Sequence, residues 1–468
     1  MNVTFKGSVV AAAVAAVLAA PAVHATNGYF KIGYGTKNRG MAGAGIAFSQ
    51  DAMASAINPA GIAQVGNRMD VGVELFSPLR DARLDATRMG GADTGKVDSA
   101  ATVFAIPHAG FAFNMGNMTV GLSIAANGGM NTRYNSNIYT NAMGPAIPAF
   151  AGMIGGIAPA VAAGLAADPD AQPYSTLGVN LAQVIIAPTV ATQLNQNHTV
   201  GASLLIGHQR FRAYGLGLFK GLSTDGANVT NQGDDEAWGA GIRVGWTGKI
   251  SNNITLGAQA SSKIYMQEFD QYRGLFAEQG DFDIPAQFGV GLAIQVNPKT
   301  TVALDVQRIL YSGVASIAND GPTADQFFGA LASVLGTGAN YSGAGALGGN
   351  DGWGFGWDDI TVVKLGVDYQ YNNQWTFRGG LNVGGNPIDS DQNLFNILAP
   401  GVVKRHLTLG FTYSPSAYNE LSVTYMHAFR EDQSHAFTAT SGGFAGFGYD
   451  ASIGMDQNAL ELSYAWKF

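Results

Sequence analysis

Strict two-residue alternation at the end of the chain limits the fold more than any other feature. From Asn458 onward the even positions Leu460, Leu462, Tyr464, Trp466 and Phe468 are apolar or aromatic, while Ala459, Glu461, Ser463, Ala465 and Lys467 are small or polar. A period of two is that of a strand, here with one greasy and one wet face. The same period runs through Leu407, Leu409, Phe411 and Tyr413, through Leu421, Val423, Tyr425, His427 and Phe429, and through Trp375, Phe377, Leu381 and Val383. Marking every such run predicts about fourteen strands, centred near Val73, Phe111, Leu122, Ile186, Leu204, Ile242, Ala258, Val290, Leu304, Leu365, Phe377, Leu409, Val423 and Leu462.

The connections alternate in length. Short links fall at Gly116-Asn117, Asn195–Asn197, Ser251–Asn253, Asn297–Lys299, Asn372–Gln374 and Ser414–Ser416, all rich in turn residues. Long loops are expected near 82–100, 130–178, 218–234, 270–282, 312–357, 385–402 and 431–455. Short turns on one side and long loops on the other are the pattern of an antiparallel transmembrane β-barrel. No segment after the first twenty-odd residues has the ~18 unbroken apolar residues that a spanning helix needs. Residues 142–167 come nearest, but Gly and Pro interrupt them repeatedly. Charged residues are 12% of the chain, about half the usual ~25%, and the outward faces are too aromatic for water. A soluble sandwich or propeller fits less well, and no repeat of propeller length is present.

The first 25 residues are expected to be a secretory signal peptide: Lys6, an apolar run from Val9 to Ala20, Pro21, and small residues ending at Ala25. Residues 68–468 would form the barrel. Residues 26–67 do not alternate. They are rich in Gly and Ala, with a short helix expected within 41–56, capped near Ser49 or Asp51 and interrupted at Asn58-Pro59. A barrel of about fourteen strands has a lumen too wide for its own side chains, so this segment is expected to plug it.

Several chemistries are excluded or disfavoured. The chain has no Cys, which rules out disulfides and thiolate sites, and its net charge of −8 argues against nucleic acid. No phosphate-loop, zinc-hydrolase or nucleophile-elbow motif is present, so no enzyme, cofactor or metal site is expected. Asp281, Asp283, Asp358 and Asp359 read as solvated loop acids rather than a calcium site. The basic group Arg210, Arg212 and Lys220 reads as interfacial, with lipopolysaccharide phosphates or a substrate carboxylate as other partners. Two loop stretches, 141–167 and 323–347, are almost uncharged. They are expected either to fold inward over the barrel mouth or to form an outer apolar site.

The stretch Asn27–Phe30, then Gly40-Met-Ala-Gly-Ala-Gly45, Asp51-Ala52 and Asn58-Pro-Ala-Gly61, resembles the N-terminal hatch of the FadL/TodX-type outer-membrane transporters of long-chain fatty acids and hydrocarbons. Ala187-Pro-Thr, Gln209-Arg-Phe-Arg212 and Gly215-Leu216 are also similar to that family. The terminal strand ending on Phe468 resembles those of outer-membrane barrels, where that residue is read by the barrel-assembly machinery.

The resemblance implies a monomer in the bacterial outer membrane, in contact with lipid and lipopolysaccharide. An apolar substrate would be captured between outer loops, held beside the hatch, and released when the hatch shifts, through a kinked third strand. Thr26, Asn27 and Gly28 would adjoin the inner site, and Asn58, Pro59 and Ala60 would shape the hatch. Asn127-Gly128-Gly129, at the expected end of strand three, is a candidate for the kink, with an ordinary strand end as the plainer reading. Arg378 would be a sensible partner if the substrate is a carboxylate. The other function weighed is a barrel acting as an adhesin or phage receptor through its loops.

Overall fold

The computed structural model describes residues 27–468, so the expected signal peptide and Thr26 lie outside the described residues. One continuous sheet contains sixteen strands, two of which, Val97–Asp98 and Tyr265–Met266, are two-residue ladders on loops. The other fourteen make the barrel. In chain order they are β1 Arg68–Asp85, β2 Phe104–Asn114, β3 Met118–Asn131, β4 Gly178–Gln193, β5 His198–Tyr214, β6 Asp235–Ser251 and β7 Ile254–Ser261. There follow β8 Ala286–Asn297, β9 Thr300–Leu310, β10 Ile360–Gln370, β11 Trp375–Gly384, β12 Arg405–Ser416, β13 Asn419–Thr438 and β14 Gly448–Lys467. Every neighbour is antiparallel, and β1 pairs with β14 from Arg68↔Lys467 to Asp85↔Asp450, so the sheet closes and has no free edge.

The two faces are inverted relative to a soluble protein. Leu75, Val290, Leu381, Leu409 and Leu460 are each about half exposed on the outside. In water such a belt would be an apolar patch far larger than soluble domains tolerate; it suits hydrocarbon. At the short-turn end the belt turns aromatic, with Phe111, Phe113 and Phe468 stacked at centroid spacings of 6.3–6.5 Å and Trp375 against Phe377 and Tyr413. The inward positions are the polar ones: Glu74, Arg243, Asp305, His406 and Glu461 are all buried.

They are buried because residues 27–67 fill the lumen. The expected helix over 41–56 is not formed as one element. The structure has a helical turn at Thr36–Gly40 and 3-10 turns at Ala52–Ala56 and Pro59–Gln64, with a loop between. Gly43 and Gly45 lie where a longer helix would run, and Gly43 takes a positive φ of 84° that an α-helix does not allow. Asp51 caps the second turn by accepting from Met53 N at 3.0 Å, and Asn58 caps the third.

The long loops are also structured. Residues 132–177 contain helices at Ile138–Met143, Ile147–Ile154 and Ala158–Ala167. The helix Ala324–Thr337 starts on a complete capping box between Thr323 and Gln326. The last loop is shorter than expected, since β13 and β14 remain paired out to Thr438↔Gly448.

Candidate functional site

Five loops and two strand ends surround an apolar cavity of about 40 Å³ at the long-loop end of the barrel. Tyr139 and Val179 contribute from one side, Phe211, Leu216 and Phe219 from the next, and Leu275, Phe276, Leu347, Trp353, Phe355, Phe395 and Leu398 from the remainder. None of the lining side chains is charged. The aromatic rings fix its shape by edge-to-face packing, for example Tyr139 on Phe219 at 4.8 Å and Phe219 on Phe395 at 5.6 Å. Tyr139 is itself anchored by donating its hydroxyl to the Leu394 carbonyl at 2.7 Å.

Below this cavity lies an aromatic floor. Tyr29 and Phe30 of the hatch pack on Tyr311 and Trp357, with centroids 5.2–5.9 Å apart. Tyr311 donates its hydroxyl to the Asn27 carbonyl at 2.5 Å, and Trp357 donates its indole N–H to Asn396 at 2.7 Å. Gly28 is held at φ 67° directly against the Tyr311 hydroxyl, where any side chain would collide. A second, smaller cavity of about 20 Å³ lies beyond the floor, lined by Gly28, Tyr29, Arg80, Gly129, Met130, Asn131, Trp357, Met455 and residues 399–401.

This inner cavity abuts β3, which is irregular there. The strand does not end at Asn127-Gly128-Gly129. It runs on to Asn131, with its register against β4 shifting between Ala126 and Gly128. The cause is the hatch. Phe30 bridges to Gly128, Lys31 N donates to the Asn127 carbonyl at 3.2 Å, and the Tyr34 hydroxyl donates to Asn127 Oδ1 at 2.9 Å. A Cβ at Gly128 would run into the Tyr29 carbonyl, so glycine is what lets the two backbones meet.

The opposite side of the hatch is fastened by charge. Glu74 on β1, fully buried, accepts from Lys31 Nζ at 2.5 Å and from Arg39, which also reaches Glu461 on β14 at 3.3 Å. Lys37 pairs with Glu420 on β13 at 2.5 Å, and Arg68 joins Glu420 and Asp70 at 2.8 and 2.7 Å. Burial, with the Asp70 carboxylate beside it, pushes Asp51 up to about 6.

Asn58, Pro59 and Ala60 sit between these two regions, packed on β5 and β6. Asn58 Nδ2 donates to the carbonyls of Ile46 at 2.8 Å and Trp246 at 3.0 Å, while its Oδ1 accepts from Ala60 N at 3.1 Å. Replacing Asn58 with Ala is expected to cost hatch docking about 1–3 kcal/mol. Hydrogen exchange at residues 45–62 should speed up while the barrel's thermal midpoint stays put; equal loss in both would make the residue purely structural.

Arg378 lies in the lumen, but its guanidinium is engaged by Asp368 at 2.8 Å, Gln50 at 2.6 Å and Thr412 at 2.6 Å. It lines neither cavity. Lys220 is held by Asp168 and Asp170, and Arg212 stacks on Tyr214 at 5.0 Å. Asp283 pairs with Lys263 at 2.7 Å, and no metal-binding cluster occurs among the described residues.

The two uncharged loops do not build the main cavity, apart from Leu347. Their helices pack together through Phe150 and Phe328, at 5.8 Å, with Phe444 of the last loop stacked on Phe150 at 4.5 Å. Residues within 140–173 and Leu218 line a separate outer groove of about 350 Å³. Residues that sequence reasoning did not single out include Tyr311, Trp357, Phe211 and Phe395. The run Trp353-Gly-Phe-Gly-Trp357, aromatic and uncharged within a loop, was the available signal.

Residues 156–468, about two-thirds of the chain, match the model of a family described as outer membrane protein transport protein (OMPP1/FadL/TodX). Among solved structures, the Pseudomonas putida toluene transporter TodX aligns at 18% identity over 95% of this chain and 100% of its own, with a TM-score of 0.61. The Ralstonia pickettii toluene transporter TbuX aligns at 17% over 93% and 99%, with a TM-score of 0.56. A Pseudomonas aeruginosa FadL homologue aligns at 15% over 94% and 100%, with a TM-score of 0.62. At these identities the likeness speaks for the fold. No curated protein matches the chain by sequence.

Proposed function

Since the chain belongs to the OMPP1/FadL/TodX family of outer-membrane transport proteins, we propose that it takes up long apolar molecules, fatty acids or hydrocarbons, passively through the loop cavity and past the hatch. The observation that carries this reading is the uncharged, aromatic-lined cavity at the long-loop end. Each methylene moved there from water gains about 0.8 kcal/mol, enough to concentrate an apolar solute without chemistry. The outer groove along residues 140–173 would collect solute first.

Release would follow a shift of residues 27–30. These hold the aromatic floor between the two cavities and cover the irregular stretch of β3. Their hold on β3 is neutral, through the Phe30–Gly128 bridge, whereas Lys31 next to them and the rest of the hatch are ion-paired to the barrel. The near flank is therefore the weaker one. Nothing here needs an energy source: a gradient and a conformational equilibrium suffice.

Brominated stearate and a brominated alkane should quench the tryptophan fluorescence of the purified protein in a saturable way, through Trp353 and Trp357. Val179→Phe, which adds a ring inside the cavity, should weaken that quenching about tenfold with the barrel still heat-modifiable on gels. Quenching that neither saturates nor responds to Val179→Phe would contradict the reading.

A further inference from the structure

The cavity at the long-loop end has room for only about three waters, so its wall must give way before a long solute can enter. The most strained part of that wall is the strap of residues 275–280, in the loop between β7 and β8. Glu278 and Gln279 both take left-handed conformations, at φ 54° and 57°, which side chains of this kind rarely adopt. Leu275 and Phe276, immediately before them, line the cavity.

The strap hangs between fixed points. Before it, the Tyr272 hydroxyl donates to the Gly233 carbonyl and Ser223 Oγ to the Gly274 carbonyl, both at 2.6 Å. After it, Gln209 donates to the Phe282 carbonyl at 2.9 Å and Asp283 pairs with Lys263 at 2.7 Å. Its middle is held across a seam to the loop between β9 and β10. The N–H groups of Glu278 and Gln279 donate to the carbonyls of Gly349 and Gly348 at 2.9 and 3.3 Å. The Gln279 side-chain amide donates to the Gly348 carbonyl at 3.0 Å and to Asn350 Oδ1 at 2.8 Å. On the inner side, Ser316 Oγ donates to the Asp281 carbonyl at 2.5 Å. Leu347 and Trp353, beyond the seam, form the facing wall of the cavity.

Each of these seam bonds is neutral, and Glu278, Gln279 and Asn350 are exposed, so water can replace the outer bonds as they break. A left-handed pair persists only where its surroundings impose it. Here the seam imposes it, by turning two successive N–H groups toward one neighbouring loop. Parting the seam releases that strain, which offsets part of the cost of drawing Phe276 off Phe211 and Phe282, on which it packs at 4.7 and 4.8 Å.

We propose that residues 275–280 are the movable wall of the cavity: the strap lets go of residues 348–350, its left-handed pair relaxes, and Phe276 withdraws to make room for solute. The inference rests on the uptake reading for the purpose of the motion, not for the motion itself.

Glu278 lets the backbone be tested alone, because its side chain makes no hydrogen bond or ion pair among the described residues. The chain has no Cys, so Val179→Cys places a single thiol on the cavity wall, with Leu398→Cys as a second reporter position. Labelling of that thiol by N-ethylmaleimide, in the purified full-length protein in detergent, reads the opening without any solute. Adding Glu278→Asn, which accepts a positive φ more readily, should slow labelling about threefold; Glu278→Val, which resists it, should speed labelling about tenfold. Heat-modifiable migration checks that each variant is folded. The onset of quenching by brominated stearate should follow the same order. Labelling that is equal in the three backgrounds, absent from all of them or reversed in order overturns the proposal, as does saturable quenching whose onset ignores Glu278. Labelling in the expected order without saturable quenching keeps the strap and sinks the uptake reading instead.

Discussion

Glu74→Gln loosens the hatch by about 3–5 kcal/mol, the range expected when one partner of a buried ion pair is removed. Glu74 has no exposure and receives both Lys31 and Arg39. The amide keeps the shape but not the charge, so two buried cations lose their shared counter-ion. Arg39 retains Glu461 at 3.3 Å; Lys31 forms no other ion pair among the described residues. Limited proteolysis of residues 27–67 in outer-membrane preparations should go from protected to cleaved, and large hydrophilic antibiotics should enter more readily. A variant whose hatch stays as protected as the wild type would mean that the ion pairs are incidental and that shape alone holds the plug.

Gly128→Ala acts on the other flank. Its Cβ would collide with the Tyr29 carbonyl where Phe30 bridges to Gly128. Overpacking of this kind costs about 1–3 kcal/mol, borne by the docked state of residues 27–30, where the Tyr29 carbonyl lies. Because ~1.4 kcal/mol is a tenfold change in population, the undocked fraction should rise about five- to 150-fold. If that fraction limits transport, the initial rate of apolar uptake rises in step, while barrel assembly is untouched. An unchanged rate, with Tyr29 still docked by crosslinking, would remove β3 from the pathway.

Much of the architecture could be read from the sequence because a membrane barrel writes its period plainly. All fourteen expected strand centres, from Val73 to Leu462, fall within observed strands. One face had to be apolar for hydrocarbon and the other polar for the lumen, which leaves little ambiguity of register. The hatch was harder. Its fold follows from long-range partners such as Glu74, Glu420 and Asp305, which no local pattern links to Lys31, Lys37 or Gly45. Its short 3-10 turns also carry no usable periodicity.

The site was harder still. Asn27, Gly28 and the Asn127–Gly129 stretch do meet in space, but the cavity above them is assembled from residues scattered over five loops and two strand ends. Tyr139, Phe211 and Phe395 become neighbours only once the barrel has closed. Arg378 shows the limit of reasoning from residue type. A lumenal arginine looks like a carboxylate receptor until Asp368, ten positions earlier and opposite it in the sheet, is seen to occupy it.

The central claim is that this barrel carries apolar solutes inward. Initial uptake rates of radiolabelled oleate and toluene, compared between cells lacking the chain and cells with it restored, test that most directly. Restoration should raise the rate of at least one of the two about tenfold, and Val179→Phe should abolish the gain. Equal rates with and without the chain, for both solutes, would contradict the account and leave a barrel whose loops serve surface recognition.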